Sequence, residues 1–397
     1  MFHFPSGKNI FKKKEIFAME KKYNSEQKSF VRALYLHIPF CARKCHFCSF
    51  AIAVNQTHRV REYLDALGRE ADARPVADIL GSVYVGGGTP SCLSEEEAVL
   101  LWERTVGKFS VGGGAEVTWE FNPESVTLPK ARLLRGLGVT RASLGIQSLN
   151  AERLLYLDRA HRREDAITAF EILRTAGFSN VSVDVMYGFP GQRSEELARD
   201  MREVLALHPD HLSVYQLTIE ERSLLFARGQ RGYLEEDPSL DDAVVETART
   251  AGLLQYEISN FSRPGYESRH NINYWEGGEY LGLGMAAHSH VRGRRSWNAE
   301  TLFSYLEAVR DRGTAEAGGE DLPPAEKMVE AFLFGLRMNR GVSLEELRSR
   351  FGTELSGEKI EAIESFVEMG FLEEAGDRIR TTVRGRRVLD EISARLV

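Results

Sequence analysis

From Ala33 to Leu217, short β-rich runs alternate with stretches of helical period. ALYLHIPF (33–40), SVYVGGG (82–88), EVTWEFNP (116–123), RASLGIQS (141–148), VSVDVMYGFP (181–190) and HLSVYQL (211–217) read as strands. A helical pattern runs from about His58 to Arg74, and SEEEAVLLWERTV follows with Ser94 as N-cap and acids in its first turn. LPKARLLRGLG, REDAITAFEILRTAG and SEELARDMREVLALH supply further helices, and Gly138 and Gly177 stand where C-caps belong. Six βα units in a row predict a parallel sheet, doubly wound or curled into a barrel. In a barrel, chemistry collects at the C-terminal ends of the strands. The unusual residues do fall there: three cysteines after the first strand, Gly86 to Thr89 after the second, and Glu120 near the end of the third. Gln147 and Asp184 lie on the fourth and fifth. That agreement favours a barrel with one shared site.

A break is expected at about 313–325, where GTAEAGGEDLPPAE is rich in glycine, proline and acid. Beyond it, MVEAFLFGLRM, SLEELRSRFG and GEKIEAIESFVEMG read as helices, followed by a hairpin at Gly376-Asp377 and a last helix. That is the outline of a winged helix. Its last two helices carry as much acid as base, which favours a docking or lid domain over a nucleic-acid reader. At the other end, residues 1–30 are lysine-rich and lack the pattern of a secretory signal, so a mobile basic tail is expected. A patch for a membrane surface or an acidic partner is the sharper reading of the same residues.

Size and charge narrow the picture. The 397 residues suffice for one large domain and a smaller one, expected at 31–312 and 325–397. A formal net charge of −7 argues against a surface built for nucleic-acid backbones. No apolar run reaches the roughly 18 residues that span a bilayer. Only four cysteines occur, three of them clustered, which excludes a disulfide-stapled secreted scaffold and points to a reducing, cytoplasmic setting. Cys92, the fourth, reads as a small buried residue.

Cys41, Cys45 and Cys48 stand in LYLHIPFCARKCHFCSF, an apolar strand emptying into a C-x3-C-x2-C loop. Three thiolates do not close a tetrahedral zinc site, unless His46 or His37 completes it. A [4Fe–4S] cluster is usually held by four cysteines, so three leave one iron open. GGGTPS (86–91) supplies backbone amides that no Cβ shields from a charged ligand. Glu120 could accept bonds from ribose hydroxyls, and Arg159 could pair a carboxylate. Asp184, inside a hydrophobic strand, needs a partner or a ligand.

With Phe47 before the last cysteine, this loop resembles the radical S-adenosylmethionine (SAM) superfamily. The resemblance implies a [4Fe–4S] cluster whose open iron binds SAM and can deliver an electron that cleaves it. YLHIPFC, GGGTPS, EFNPE, SLGIQS and DVMYGFPGQ together resemble the HemN/HemW group, related to oxygen-independent coproporphyrinogen III dehydrogenase, from Leu34 to the C-terminus. By that likeness the fold is α/β: a partial TIM-like (β/α)6 barrel with a smaller winged-helix-like domain. Tyr35, Phe47, Gly87, Gly88, Thr89, Glu120, Gln147, Arg159 and Asp184 take the SAM-contacting places.

Two details separate the branches of that group. The dehydrogenases carry a fourth cysteine two residues after the third, where this chain has Phe50. HNINYW (270–275), followed by YLGLGMAAHSH, resembles the HNxxYW signature of the HemW branch of heme chaperones. The implied partners are heme, heme-accepting proteins such as respiratory enzymes, and an electron donor if SAM is cleaved. His270, Asn271, Tyr274 and Trp275 are the expected heme contacts: an imidazole is a common axial ligand and aromatic rings lie against a flat macrocycle. His270 could instead brace a loop, and His288 and His290 are secondary candidates. Two other functions stay open: a radical SAM enzyme acting on a porphyrin, and a winged-helix regulator using its cluster as a redox sensor.

Overall fold

Six strands pair side by side in chain order, all parallel: β1 (Val31–Ile38), β2 (Leu80–Gly87), β3 (Val111–Phe121), β4 (Arg141–Gln147), β5 (Asn180–Tyr187) and β6 (His211–Gln216). The computed structural model describes residues 31–76, 78–233 and 237–397, so the expected basic tail at 1–30 lies outside the described residues. Helices α1 (Val60–Ala73), α2 (Glu95–Arg104), α3 (Leu128–Leu137), α4 (Arg163–Thr175) and α5 (Ser194–Leu205) link successive strands as the periodicity predicts. Ser94 closes a capping box with Glu97, and Gly138 ends α3 at φ +108°.

Strands buried in a parallel sheet usually read as continuous apolar runs. These alternate. Val83, Val85, Val117, Trp119, Leu144, Val183 and Val214 are buried on the face that the helices cover, where each apolar side chain contributes about 1.5–3 kcal/mol. The opposite, inner face carries Ser82 and Tyr84, then Glu116, Thr118 and Glu120, then Arg141 and Ser143, then Ser182 and Asp184, then His211 and Ser213. The register aligns them in rows: Ser82 faces Glu116, Glu120 faces Ser143, and Ser143 faces Ser182. Such groups cost free energy in an interior unless they find partners. His211 meets that demand with both ring nitrogens, on Ser182 Oγ (2.8 Å) and Tyr256 Oη (2.9 Å).

The sheet extends to twelve strands. Beyond β6 lie antiparallel β7 (Leu254–Glu257) and β8 (Asn260–Ser262). On the other flank of β1 comes parallel β9 (Glu279–Leu283), then antiparallel β10 (His288–Val291), β11 (Arg294–Asn298) and β12 (Glu316–Asp321). The glycine-rich stretch read as a break therefore contributes β12. Its glycines have a packing reason, since a Cβ on Gly318 would lie 2.6 Å from the indole of Trp297.

From the helix Pro324–Leu336 onward, a second core gathers Met328, Phe332, Leu336, Leu347, Ile363, Leu372 and Ile392. Helices Leu344–Phe351 and Gly357–Glu368 precede a hairpin turning at Gly376, and Val342–Ser343 completes its three-stranded sheet. This is the winged-helix-like α+β unit. No helix among the described residues is long and apolar enough to cross a membrane.

One buried carboxyl ties α1 to the β9–β12 side. Glu70, wholly buried on α1, accepts from Gly284 N (2.9 Å), Asn298 Nδ2 (2.6 Å) and Tyr305 Oη (2.7 Å). Burial raises its pKa, and these three donors oppose that rise. Tyr305→Phe should cost about 1–3 kcal/mol in urea unfolding by removing one donor. Glu70→Ala should cost more, because the Gly284 amide, Asn298 and Tyr305 all lose their acceptor.

Candidate functional site

The loop with the three cysteines is held at several points. Phe40–Cys41 pairs with Ala53–Val54, and Asn55 N donates to Cys41 O (3.1 Å). Midway, His46 N donates to Leu157 O and Leu225 N donates to His46 O, both at 3.0 Å. Lys44 Nζ reaches Arg222 O (2.6 Å). Phe47 is partly buried against Leu157, Met186, Phe189, Leu217, Ile219 and Leu225. The loop is thus positioned by contacts from the ends of β5 and β6 as well as by its own strand.

All three cysteines are free thiols. Burial pushes the Cys41 thiol up to about 12 and also raises Cys48. Histidine completion of a zinc site is disfavoured, because His37 donates from Nε2 to Ala51 O (2.9 Å) and accepts Tyr35 Oη–H at Nδ1 (2.9 Å). His46 has Nδ1 on Tyr156 O (2.8 Å) while Arg228 donates to Nε2 (3.0 Å). Among the described residues no group of three His, Cys, Asp or Glu is gathered as a metal site. Three free thiols in one short loop are donors of the kind that hold an iron–sulfur cluster.

The glycine turn after β2 packs against the end of β1. Gly88 N donates to Ile38 O (2.8 Å) and Thr89 N to Phe40 O (3.0 Å). A Cβ on Gly88 would lie 2.7 Å from the Pro39 carbonyl group. Gly87, at φ +115°, would bring its Cβ within 2.6 Å of the His37 ring. Glycine is therefore required twice here, once for the close approach and once for both approach and dihedral. Thr89 Oγ1 then sits 3.4 Å from Cys41 Sγ and accepts from Asn122 Nδ2 (3.1 Å).

Arg159 continues this line. Its Nη2 donates to Asn122 Oδ1 (2.9 Å) and Gly145 O (2.8 Å), and its Nη1 lies 3.5 Å from Cys45 Sγ. Asn122 lies within EFNPE, and its role depends on two neighbours, Thr89 and Arg159, that only the fold brings to it. Gln147 ends β4 at φ +65°, a left-handed conformation that is strained for a non-glycine residue and common at functional sites.

Glu120 and Asp184 are half-buried on the inner face. Glu120 accepts from Tyr84 Oη (2.7 Å) and Gly87 N (3.0 Å), yet burial raises its carboxyl to about 7, with the Asp184 charge adding to the rise. In the sequence nothing distinguishes Tyr84 from an ordinary strand residue; its hydroxyl finds Glu120 only through the fold. Asp184 accepts from Ser143 Oγ at 3.3 Å on each oxygen, and burial raises it too. Tyr35 lies beside Tyr84, ring centroids 6.2 Å apart. Tyr35, Gly87, Gly88, Thr89, Glu120, Gln147, Arg159 and Asp184 thus share one end of the inner face with the cysteine loop. Cys92 is half-buried near Phe40 O (3.8 Å), and Phe50 is 65% exposed.

HNINYW lies at the opposite, N-terminal end of the strands. It forms α6 (Arg269–Trp275), capped by Ser268 Oγ on Asn271 N (3.3 Å), with Arg269 Nη1 on Gly114 O (2.8 Å). His270 is 1% exposed. Its Nδ1 meets Ser82 Oγ (3.0 Å), its Nε2 meets Tyr274 Oη (2.9 Å), and its ring lies 5.1 Å from that of Tyr84. Burial lowers its pKa to about 3, so the imidazole is neutral. Trp275 carries Arg337 over its ring at 4.4 Å, and Arg350 donates to Glu276 O (2.5 Å). The C-terminal unit therefore grips the end of α6.

A partial barrel whose first strand empties into a three-cysteine loop, with a glycine turn and carboxylates at the same end, is the architecture of radical SAM proteins. The radical SAM superfamily profile matches residues 35–204, and the HemN C-terminal domain profile matches 322–388. The chain belongs to the HemW family. It is 31% identical over 371 residues to a heme chaperone HemW of Bacillus subtilis, covering 91% of this chain and 98% of that one. It is 34% identical over 370 residues to a heme chaperone HemW of Mycobacterium tuberculosis, covering 90% and 93%. The solved structure of coproporphyrinogen III oxidase (HemN) from Escherichia coli shares the fold, with a TM-score of 0.82 at 22% identity, over 97% of this chain and 93% of that one.

Two predictions follow from this geometry. Gly88→Ala should cost about 1–3 kcal/mol by forcing the turn off Pro39, read as a lowered melting temperature. Glu120 is more basic folded than unfolded, so the native state holds its proton to higher pH. Stability should therefore fall as pH rises from the ordinary carboxyl range through about 7. Glu120→Gln should flatten that part of a pH series of urea midpoints.

Proposed function

We propose that this protein binds heme and passes it to acceptor proteins such as respiratory enzymes. In this reading Cys41, Cys45 and Cys48 hold a [4Fe–4S] cluster, with SAM at its open iron. The observation that carries it is the likeness, along nearly the whole of both chains, to proteins named heme chaperone HemW. When bound, the cluster supplies the electron that SAM cleavage requires. Tyr35, Phe47, Gly87, Gly88, Thr89, Glu120, Gln147, Arg159 and Asp184 are assigned to SAM. Glu120 offers carboxylate oxygens to ribose hydroxyls, the glycine turn offers backbone amides, and the Arg159 guanidinium spans the space between Asn122 and Cys45. His270, Asn271, Tyr274 and Trp275 belong to the floor of the inner face in this reading, beneath a heme-accessible lumen. Free thiols and an open cluster suit a reducing compartment such as the cytoplasm.

A second reading, a radical SAM enzyme acting on a porphyrin, draws support from the gathered residues around Glu120, Arg159 and Asp184. Phe50 in place of a fourth cysteine weighs against the decarboxylating dehydrogenase. The test is anaerobic reconstitution with iron, sulfide, SAM and reductant, assaying coproporphyrinogen III while hemin is titrated in parallel. Stoichiometric hemin binding without porphyrinogen conversion is expected; sustained conversion would replace the chaperone by the enzyme. Cys45→Ser should lose the brown cluster absorbance, and a retained cluster would refute the ligand assignment.

A further inference from the structure

The sequence left the heme ligand open among His270, His288 and His290, and the environments of the histidines separate them. Of ten histidines in the chain, nine are described. His37, His211 and His270 are buried with both ring nitrogens hydrogen-bonded. His161 is buried with Nε2 on Ile146 O (3.0 Å) and Nδ1 3.6 Å from Glu124. His46 is engaged on the cysteine loop. His290 is half-buried under the C-terminal unit, with Nδ1 3.4 Å from Gly278 O, and burial lowers its pKa. Three are exposed: His58, His208 and His288. His58 sits in a turn before α1, and His208 precedes β6 at the end remote from the cysteines.

His288 is placed differently. It opens β10, pairs with Trp297 of β11, and shares a strand face with His290. That face is the inner one, because the His290 ring meets Tyr280 (6.4 Å), Tyr280 meets Tyr274 (4.6 Å), and Tyr274 meets His270 (4.9 Å). The register puts His290 opposite Tyr280, so His288 falls two residues further toward the cysteine end. It lies against Gly282, whose other neighbour on the sheet is Tyr35. Trp297 lies over Gly318, and its ring centroid is 6.2 Å from that of His288 with 34° between the planes. An exposed imidazole on the inner face beside a broad indole is what a macrocycle with an axial iron ligand requires.

We infer that His288, with Trp297 as its flanking plate, is the axial ligand to heme iron, and that His270 braces the barrel floor. This rests on the heme-chaperone reading and names the ligand within it. Hemin is titrated into the full-length protein and followed at the Soret band. His288→Ala should weaken binding at least roughly tenfold, move the band, and regain the wild-type spectrum with added imidazole. Trp297→Ala should weaken binding without moving the band, and His58→Ala should leave both unchanged. A wild-type band and affinity in His288→Ala would overturn the assignment while leaving heme binding intact. Absence of hemin binding by the wild-type protein would sink the chaperone reading and this assignment together.

Discussion

The site depends on how closely two chain segments approach at the end of β1. Gly88 touches the Pro39 carbonyl so tightly that a single methyl group has no room. Because the turn can sit there, Thr89 reaches Cys41 and the Gly87 amide reaches Glu120. From Thr89 the line passes through Asn122 to Arg159 and back to Cys45. Two cysteines from one loop are thus referenced to three different strands. Backbone packing sets where this line starts, and side-chain hydrogen bonds carry it onward.

Much of this was legible before the structure. Period-two runs bounded by helices gave the parallel strands, and the odd residues at their ends gave one site, because a βα repeat places all strand C-termini on one side. What could not be read was pairing across distance. Asn122 and Tyr84 matter through partners thirty to forty positions away, and nothing in their local sequence marks them. The stretch 313–325 misled for a physical reason: its glycines make space for Trp297 and Arg294, and composition alone cannot distinguish such glycines from linker glycines.

HNINYW is the case where motif and environment diverge most. As a string it offers a histidine and two aromatic rings, the parts of a porphyrin site. Folded, its histidine is neutral and saturated with hydrogen bonds, and its tryptophan is stacked by an arginine of the C-terminal unit. The motif lies between the barrel floor and that unit. On its other side His270 lies against Tyr84, whose hydroxyl donates to Glu120.

The alternation of the barrel strands has a further consequence, for how the chain can change in length. Each of β2 to β6 presents polar groups inward and apolar groups outward. Inserting one residue into such a strand would exchange the two sets beyond the insertion. Valines and leucines would line the cavity, while serines and carboxylates would be driven beneath the helices without partners. An ordinary parallel strand, apolar on both faces, would survive the same slip with modest repacking. Here each strand tolerates length changes only in its connecting loops, so the chemistry of the lumen and the register of the sheet are inherited together.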